Sequence, residues 1–227
     1  GGTGLFLGHR LSEIRESDGK VQLKFENGAE IEADMVIGTD GVRSQVRRYV
    51  SGHIEAAYSR TSAFRGIIPI EALPSLPDPE AIQFWMGPNA HLLHYAIGGA
   101  RKAVNYFAVV EGPDEWPATG ASTAPIEHAV ALEAFRGWHP AVLEMINASQ
   151  HTIRWGLFTV PPVRQWYRGR VVLLGDSAHG MLPHHGQGAN TTIEDAVTLA
   201  ELLLTDGADI HSTFARYQAM RKVRTRI

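Results

Sequence analysis

The stretch Arg168–Leu204, RGRVVLLGDSAHGMLPHHGQGANTTIEDAVTLAELLL, decides how the rest of the chain is read. Its three parts have different periodicities. Val171 to Leu174 is a continuous apolar run with β-branched members, bounded by Gly175, which suits a short strand buried on both faces. Gly175 to Gly188 holds four glycines and Pro183, and reads as a loop too polar and too broken for either regular element. From Ala189 onward, Ile193, Ala196, Val197, Ala200, Leu203 and Leu204 recur at helical spacing, with Glu194, Asp195 and Glu201 opposite, so the apolar set is expected to face the core. Strand, carboxylate-bearing loop and glycine-opened helix together make an arrangement suited to holding a phosphate or a ribose-like chain.

Each piece has its own chemistry. Gly175 and Asp176 follow the strand directly, at the carboxyl edge where open α/β sheets place their ligands. A carboxylate there accepts hydrogen bonds from sugar-like hydroxyls. Gly186 and Gly188 lack Cβ atoms, so a flat ligand can approach the main chain. The N–H groups of Gly188, Ala189 and Asn190 would open the helix and carry its positive end, which favours negative charge by roughly 0.3–1 kcal/mol.

A second motif lies far upstream. Met35 to Gly38 is a strand candidate, followed by Asp40-Gly41-Val42-Arg43-Ser44-Gln45-Val46-Arg47. Together with GRVVLLGDSAH…PHHGQGANTTIEDA, this DGxxSxxR pattern resembles the single-component flavin aromatic hydroxylases, and within them the salicylate and 6-hydroxynicotinate hydroxylases. The resemblance runs over nearly the whole chain. It implies an α/β, Rossmann-like FAD-binding domain with an inserted α+β substrate domain built on an antiparallel sheet. It also implies FAD contacts at Leu11, Asp40, Gly41, Arg47, Gly175, Asp176, Pro183, Gly186, Gly188, Ala189 and Asn190, with the Asp40 segment beside the pyrophosphate and near the NAD(P)H site. Read from the residues alone, Asp40 caps the helix after it. A member of this family begins with a strand, a GxGxxG turn and a helix. Here the chain starts Gly1-Gly2-Thr3-Gly4 without a preceding strand, so the FAD-binding domain is read as incomplete, lacking its N-terminal βαβ unit.

Composition narrows the remaining classes. With 227 residues, 44% hydrophobic and 20% charged, the chain can bury a sizeable core as one large domain or two small ones. A net charge of −3 does not suggest nucleic acid or an anionic membrane as partner. The absence of cysteine excludes disulfides and thiolate chemistry and fits a cytoplasmic setting. Neither an 18-residue apolar run nor a signal-peptide pattern is present.

Along the chain, Leu5 to Glu16 alternates loosely, then Asp18-Gly19 and Asn27-Gly28 separate further alternating runs, which predicts an antiparallel meander. Residues 1–55 and 167–227 are assigned to the FAD-binding domain and 56–166 to the substrate domain. In the latter, Phe64 to Ile70, Ala81 to Met86, Ala90 to Ile97, Val104 to Val110 and Ile153 to Val160 read as strands. Pro113 to Pro125 reads as loop, and Ile126 to Phe135 and Ala141 to Ile146 as helices on one side of the sheet. Arg65 and the run Gly137-Trp138-His139-Pro140 are read as structural. The basic tail from Phe214 (Arg216, Arg221, Lys222, Arg224, Arg226) is read as a solvated helix face.

His91-Leu92-Leu93-His94-Tyr95 is the most informative stretch of the substrate domain. On a strand, His91, Leu93 and Tyr95 share one face and His94 points the other way, with His91 and Tyr95 at most ~13 Å apart. By themselves the two are ordinary sheet residues. The resemblance makes them the catalytic pair, His91 taking a proton from the substrate hydroxyl and Tyr95 hydrogen-bonding or stacking on the ring. Asp176, His179, His184 and His185 match no metal-ligand spacing, so no metal is assigned. The implied activity is hydroxylation of a small aromatic substrate, phenolic, salicylate-like or a hydroxypyridine, with NAD(P)H and O2 by way of a flavin C4a-hydroperoxide, in a monomer or homodimer. Two alternatives stay open: a non-catalytic flavin-fold lobe used for binding, or an epoxidase or non-aromatic hydroxylase on the same scaffold.

Overall fold

The computed structural model describes residues 4–99, 102–206 and 209–225, without the side chains of His185 and Asp206. Gly1 to Thr3, on which the reading of the N-terminal glycines partly rests, lie outside the described residues, as does Arg226 of the basic tail. Two compact units are formed, one from Gly1–Ala57 with Phe158–Ile227 and one from Tyr58–Leu157. The second crossing thus falls at 157/158 rather than at 166/167. Val160, Val163 and Trp166 are buried with the first unit's core, and the Val160 N–H donates to the Gly180 carbonyl at 2.8 Å.

The first unit opens with a meander of β1 (Leu11–Ser17), β2 (Lys20–Phe25) and β3 (Glu30–Ala33). Asp18 and Gly19 both take positive φ, 51° and 74°, the requirement of the tight turn joining β1 to β2. Leu5 and Leu7 lie outside β1 and are exposed. The ladder stops at the pair Leu11↔Phe25, where β2 itself ends, so the chain before Leu11 has no strand beside it. Next come β4 (Val36–Gly38) and α1 (Gln45–Ser51).

The second unit is a six-stranded sheet carrying two helices. Its elements are β5 (Ala57–Pro69), β6 (Gln83–Gly87), β7 (Ala90–Ile97), β8 (Ala103–Glu111), β9 (Thr123–Pro125), α2 (His128–Ala134), α3 (Pro140–Ala148) and β10 (Ile153–Thr159). Strand order is β6-β7-β8-β5-β10-β9. Alternation along the strands decides the core: Phe64, Ile68, Leu92, Val104, Tyr106 and Ala108 are buried with Ala131, Phe135, Val142, Met145 and Ile146 of the helical layer. The segment expected to be all loop ends in β9, whose Thr123–Pro125 pairs with Ile153–Trp155. Those three residues were too few to give a periodicity.

A polar chain crosses this core. His151 Nε2 meets the Tyr106 hydroxyl at 2.5 Å, the Tyr106 hydroxyl donates to Ser149 Oγ at 2.8 Å, and Ser149 donates to the Met145 carbonyl at 3.2 Å. With Tyr106 and Ser149 both donating onward, His151 supplies its Nε2–H. Burial, helped by neighbouring His128, holds its pKa down at about 4. The unfolded chain therefore binds this proton first as pH falls. Stability should drop by about 3 kcal/mol between pH 6.5 and pH 4. Urea unfolding midpoints across that window should show the slope, and His151→Gln should flatten it.

The first unit resumes with β11 (Tyr167–Arg168) and β12 (Val171–Leu173). β12 lies between β11 and β4 and runs parallel to β4, with Val171↔Val36 and Leu173↔Gly38. All three β12 residues are fully buried, as a continuous apolar run on a central parallel strand demands. Helices α4 (Asp176–His179), α5 (Gln187–Asp206) and α6 (Ile210–Arg224) complete the unit. The Gly175–Gly188 segment is thus not structureless: α4 and a 3-10 turn at Pro183–His185 fill half of it. Both elements are too short to leave a periodic trace among glycines.

Candidate cofactor site

Because β4 and β12 are parallel neighbours, the turns that follow them emerge at the same sheet edge. Three contacts join the turns. Ser177 Oγ donates to the Gly38 carbonyl at 2.5 Å, the Leu174 N–H donates to the same carbonyl at 2.9 Å, and Arg47 Nη1 donates to the Ser177 carbonyl at 2.9 Å. Arg47 is fully buried, and it also donates to the carbonyls of Val42 and Ile54. Burial pulls its pKa down, opposed by nearby Asp40. Its guanidinium is committed to main-chain oxygens, so Arg47 ties the turns together and does not face outward toward a ligand.

Asp40 takes the capping role that its residue type alone predicts. One carboxylate oxygen accepts from the N–H groups of Gln45 and Val46 at 2.7 and 3.1 Å, and the other from the Ser44 hydroxyl. Ser44 Oγ in turn accepts from Arg47 N at 2.8 Å. Gly41, with φ 77°, has open space where a Cβ would stand, leaving the outer side of this turn accessible. Leu11 packs against the hydrophobic core of the unit.

The second turn is held from behind. Gly175 has φ 65° and ψ −139°, and a Cβ there would lie 2.8 Å from Thr192 Oγ1. Its N–H donates to Asp195 Oδ2 at 3.0 Å. The same carboxylate accepts from His179 Nε2 at 2.6 Å and from Arg221 Nε at 2.6 Å, and all three side chains are at least nine-tenths buried. Burial alone would raise the Asp195 pKa, but the bonds from His179 and Arg221 outweigh it and hold it below the ordinary range. Arg221 also donates to the Thr191 carbonyl and pairs with Glu194 at 2.9 Å.

This cluster overturns two expectations. Arg221 is buried behind the turn rather than on a solvated face, and α5 is rotated. Thr191, Asp195, Leu199 and Leu202 point inward, while Ile193, Val197 and Leu204 of the expected core stripe are 63%, 57% and 81% exposed. An aspartate on the inward face reads as polar until its partners, His179 and the distant Arg221, are known.

Held this way, Asp176 stands exposed at the end of β12 with no hydrogen-bond partner among the described residues. Its Oδ1 lies 3.9 Å from where a Gly188 Cβ would be, so carboxylate and glycine face each other across a short gap. The first amides of α5, including Gly188, Ala189 and Asn190, have no intrahelical acceptor. Gly186 is left-handed, φ 62°, with open space beside it, and Pro183 is exposed. A free carboxylate for hydroxyls, beside a helix N-terminus for an electron-rich ring edge, fits the ribityl chain and pyrimidine edge of a flavin.

In the second unit, strand register sets out the face of the sheet opposite the helices. Met86, His91 and Val109 form one row across it, Phe84, Leu93, Phe107 and Arg65 the next, and Tyr95, Asn105 and Ile67 the third. His91 and Tyr95 therefore share this face. His94 is turned into the core, where the Trp85 indole N–H donates to its Nδ1 at 3.0 Å. Arg65 lies over the Trp155 ring at 5.2 Å.

Residues 2–224 match the FAD binding domain family, and the chain belongs to it. It is 37% identical over 213 residues to a 3-amino-4-hydroxybenzoate 2-monooxygenase of Streptomyces platensis, covering 94% of this chain and 53% of that protein. To the 6-hydroxynicotinate 3-monooxygenase of Bordetella bronchiseptica it is 36% identical over 217 residues, covering 95% and 56%. Among solved structures it is similar to Klebsiella pneumoniae HpxO complexed with FAD and uric acid, with a TM-score of 0.83 and 26% identity over 96% of this chain and 55% of that one. A salicylate hydroxylase substrate complex gives 0.80 and 28% over 96% and 58%. The fold is thus the FAD-binding fold of salicylate hydroxylase-like proteins, and the chain spans about half the length of the curated relatives it matches.

Removing the carboxylate from the buried cluster should be severe. Asp195→Ala should destabilise the protein by about 3–5 kcal/mol in urea titrations, whereas Asp195→Leu combined with Arg221→Met should recover much of the loss. The stabilisation from Asp195 is present above the ordinary aspartate range. It should disappear as pH falls below about 4, and the substituted proteins should lack this acid-dependent loss.

Proposed function

We propose that this chain is the FAD- and substrate-holding part of a flavin-dependent monooxygenase that hydroxylates a small aromatic compound using NAD(P)H and O2. The observation that carries the reading is the exposed, unpartnered carboxylate of Asp176 facing the glycine-opened N-terminus of α5. Bound FAD would supply the redox chemistry, accepting reducing equivalents from NAD(P)H and delivering one oxygen atom from O2.

The chain's own residues bind, orient and move a proton. Asp176 accepts hydrogen bonds from ribityl hydroxyls. The Gly188, Ala189 and Asn190 amides favour negative charge on the pyrimidine edge, and Gly186 and Pro183 leave room for a planar ring. Asp40 and Gly41 shape the turn on the pyrophosphate side, with Arg47 as its internal tie. His91 removes the proton from the substrate hydroxyl, which raises electron density on the ring, and Tyr95 orients that ring. The apolar residues around them, Leu93, Phe84 and Phe107, suit an aromatic substrate and keep water away from it.

Residues 58–157 form the substrate-binding part in this reading, and the flanking segments bind the cofactor. Among the described residues no helix is long and apolar enough to cross a membrane. The cysteine-free composition supports a cytoplasmic setting, and neither nucleic acid nor a membrane is assigned as partner. The assembly is taken as monomer or homodimer.

The test is a screen of hydroxybenzoates and hydroxypyridines against the intact flavoprotein, scored for NAD(P)H consumption and for hydroxylated product. His91→Ala should slow product formation by about 10²–10⁴-fold with FAD still bound, and Asp176→Ala should weaken FAD binding, read by flavin fluorescence. A colourless protein, or NAD(P)H oxidation that no aromatic compound stimulates, would favour a binding lobe instead.

A further inference from the structure

The open face of the second unit carries polar groups that the reaction above does not use, the amide of Asn105 among them. Asn105 on β8 stands directly opposite Tyr95 on β7. Cross-strand partners of this kind hold their Cβ atoms about 5 Å apart, so both side chains reach the same patch of space. Asn105 is half-buried, and its amide makes no hydrogen bond among the described residues. Nor does the Tyr95 hydroxyl, although Tyr95 is only 36% exposed. The neighbours of Asn105 on the face are mostly apolar, Ile67, Phe107 and Leu93, with Arg65 one row along on β5. An apolar side chain of similar size would suit them better unless something approaches from outside.

We infer that Asn105 is a specificity-determining residue that hydrogen-bonds the substrate, and that the group it receives is a planar edge offering both a donor and an acceptor. The inference rests on the aromatic-substrate reading and refines it. A carboxamide presents one acceptor oxygen and two N–H donors in a plane. Neither Asn105 nor the phenol of Tyr95 is charged, and Arg65, on the neighbouring β5, has its guanidinium over the Trp155 ring of β10, on the side of β5 away from β8. The pair thus matches a neutral N–H beside a C=O, as along the lactam edge of a hydroxypyridine in its oxo form whose separate ring hydroxyl faces His91, better than a carboxylate. A carbocyclic phenol in the same position would leave the amide unpaired, and unpaired polar groups are what make a site reject an analogue of the right size.

The test is calorimetric affinity for 2-hydroxypyridine and for phenol, measured on the wild-type protein, Asn105→Leu and Asn105→Ser. The wild type should favour 2-hydroxypyridine by about 10- to 100-fold. Asn105→Leu should remove that preference mainly by weakening 2-hydroxypyridine binding, and the smaller polar Asn105→Ser should retain part of it. Thermal unfolding of each variant separates a folding defect from a binding one. A wild type without the preference, or the same preference in Asn105→Leu, overturns the inference. The wider function is scored separately, by hydroxylated product, so the two can fail independently.

Discussion

The carboxylate of Asp195 is the charge around which the first unit is arranged. It is fully buried, and a buried carboxylate is tolerated only when its oxygens are filled by well-placed donors. Those donors are the Gly175 N–H in the turn between β12 and α4, the imidazole of His179 at the end of α4, and the guanidinium of Arg221 on α6. None of these can move without stranding charge. The constraint fixes the rotation of α5, because Asp195 must look inward even though this turns Ile193 and Val197 out. It also fixes the place from which Asp176 projects, since Gly175 is gripped from behind and Asp176 is the next residue.

The other turn meets this one through main-chain carbonyls. Gly38 ends β4 and receives hydrogen bonds from Leu174 and Ser177, and the Ser177 carbonyl accepts from Arg47. Two distant sequence motifs are thus joined by atoms that carry little of their sequence signature. The DG motif's aspartate and its second arginine are both turned to internal use here, Asp40 as a helix cap and Arg47 as a buried tie. Between them, Gly41 has open space beside it and Arg43 is exposed. The buried part of the motif therefore builds the shape of the turn.

How much of this was legible follows from the range of each signal. The hairpin at Asp18-Gly19 rests on neighbouring residues, and so does β7, whose bounds agree with the periodicity at both ends. The buried run Val171–Leu173 was readable for the same reason. By contrast, apolar periodicity is the only local cue to the inward face of α5, and Ile193, Ala196 and Val197 satisfy a helical period as well as Thr191, Asp195 and Leu199 do. Deciding between the two stripes needs Arg221, 26 residues away and outwardly just another cation in a basic tail. Ser177 was invisible for a related reason: a serine between Asp176 and Ala178 says nothing about the Gly38 carbonyl until β4 and β12 are known to be neighbours.

The histidine spacing on β7 shows how strongly a sheet with one covered face constrains chemistry. His91 and His94 are three residues apart, an odd number, so alternation sends them to opposite faces. The core-facing ring cannot serve as a base. Burial lowers the His94 pKa, an effect that nearby Asp78 opposes, and Nδ1 is already occupied by the Trp85 N–H. His91 stands on the face without helices, in the row of Met86 and Val109, two residues along the strand from Leu93 and four from Tyr95. Of the two imidazoles on this strand, only His91 can therefore meet a ligand. The row of Leu93, Phe84 and Phe107 lies between it and the Tyr95–Asn105 pair, so an aromatic ring spanning the three rows would have apolar contact beneath it and polar groups at both ends. Moving the sheet register by one residue would exchange His91 for His94 and Asn105 for Tyr106, burying the open-face groups and exposing the core. The helical layer of Phe135, Met145 and Ile146, packed on Leu92 and Tyr106, thus holds the open face in place from the other side.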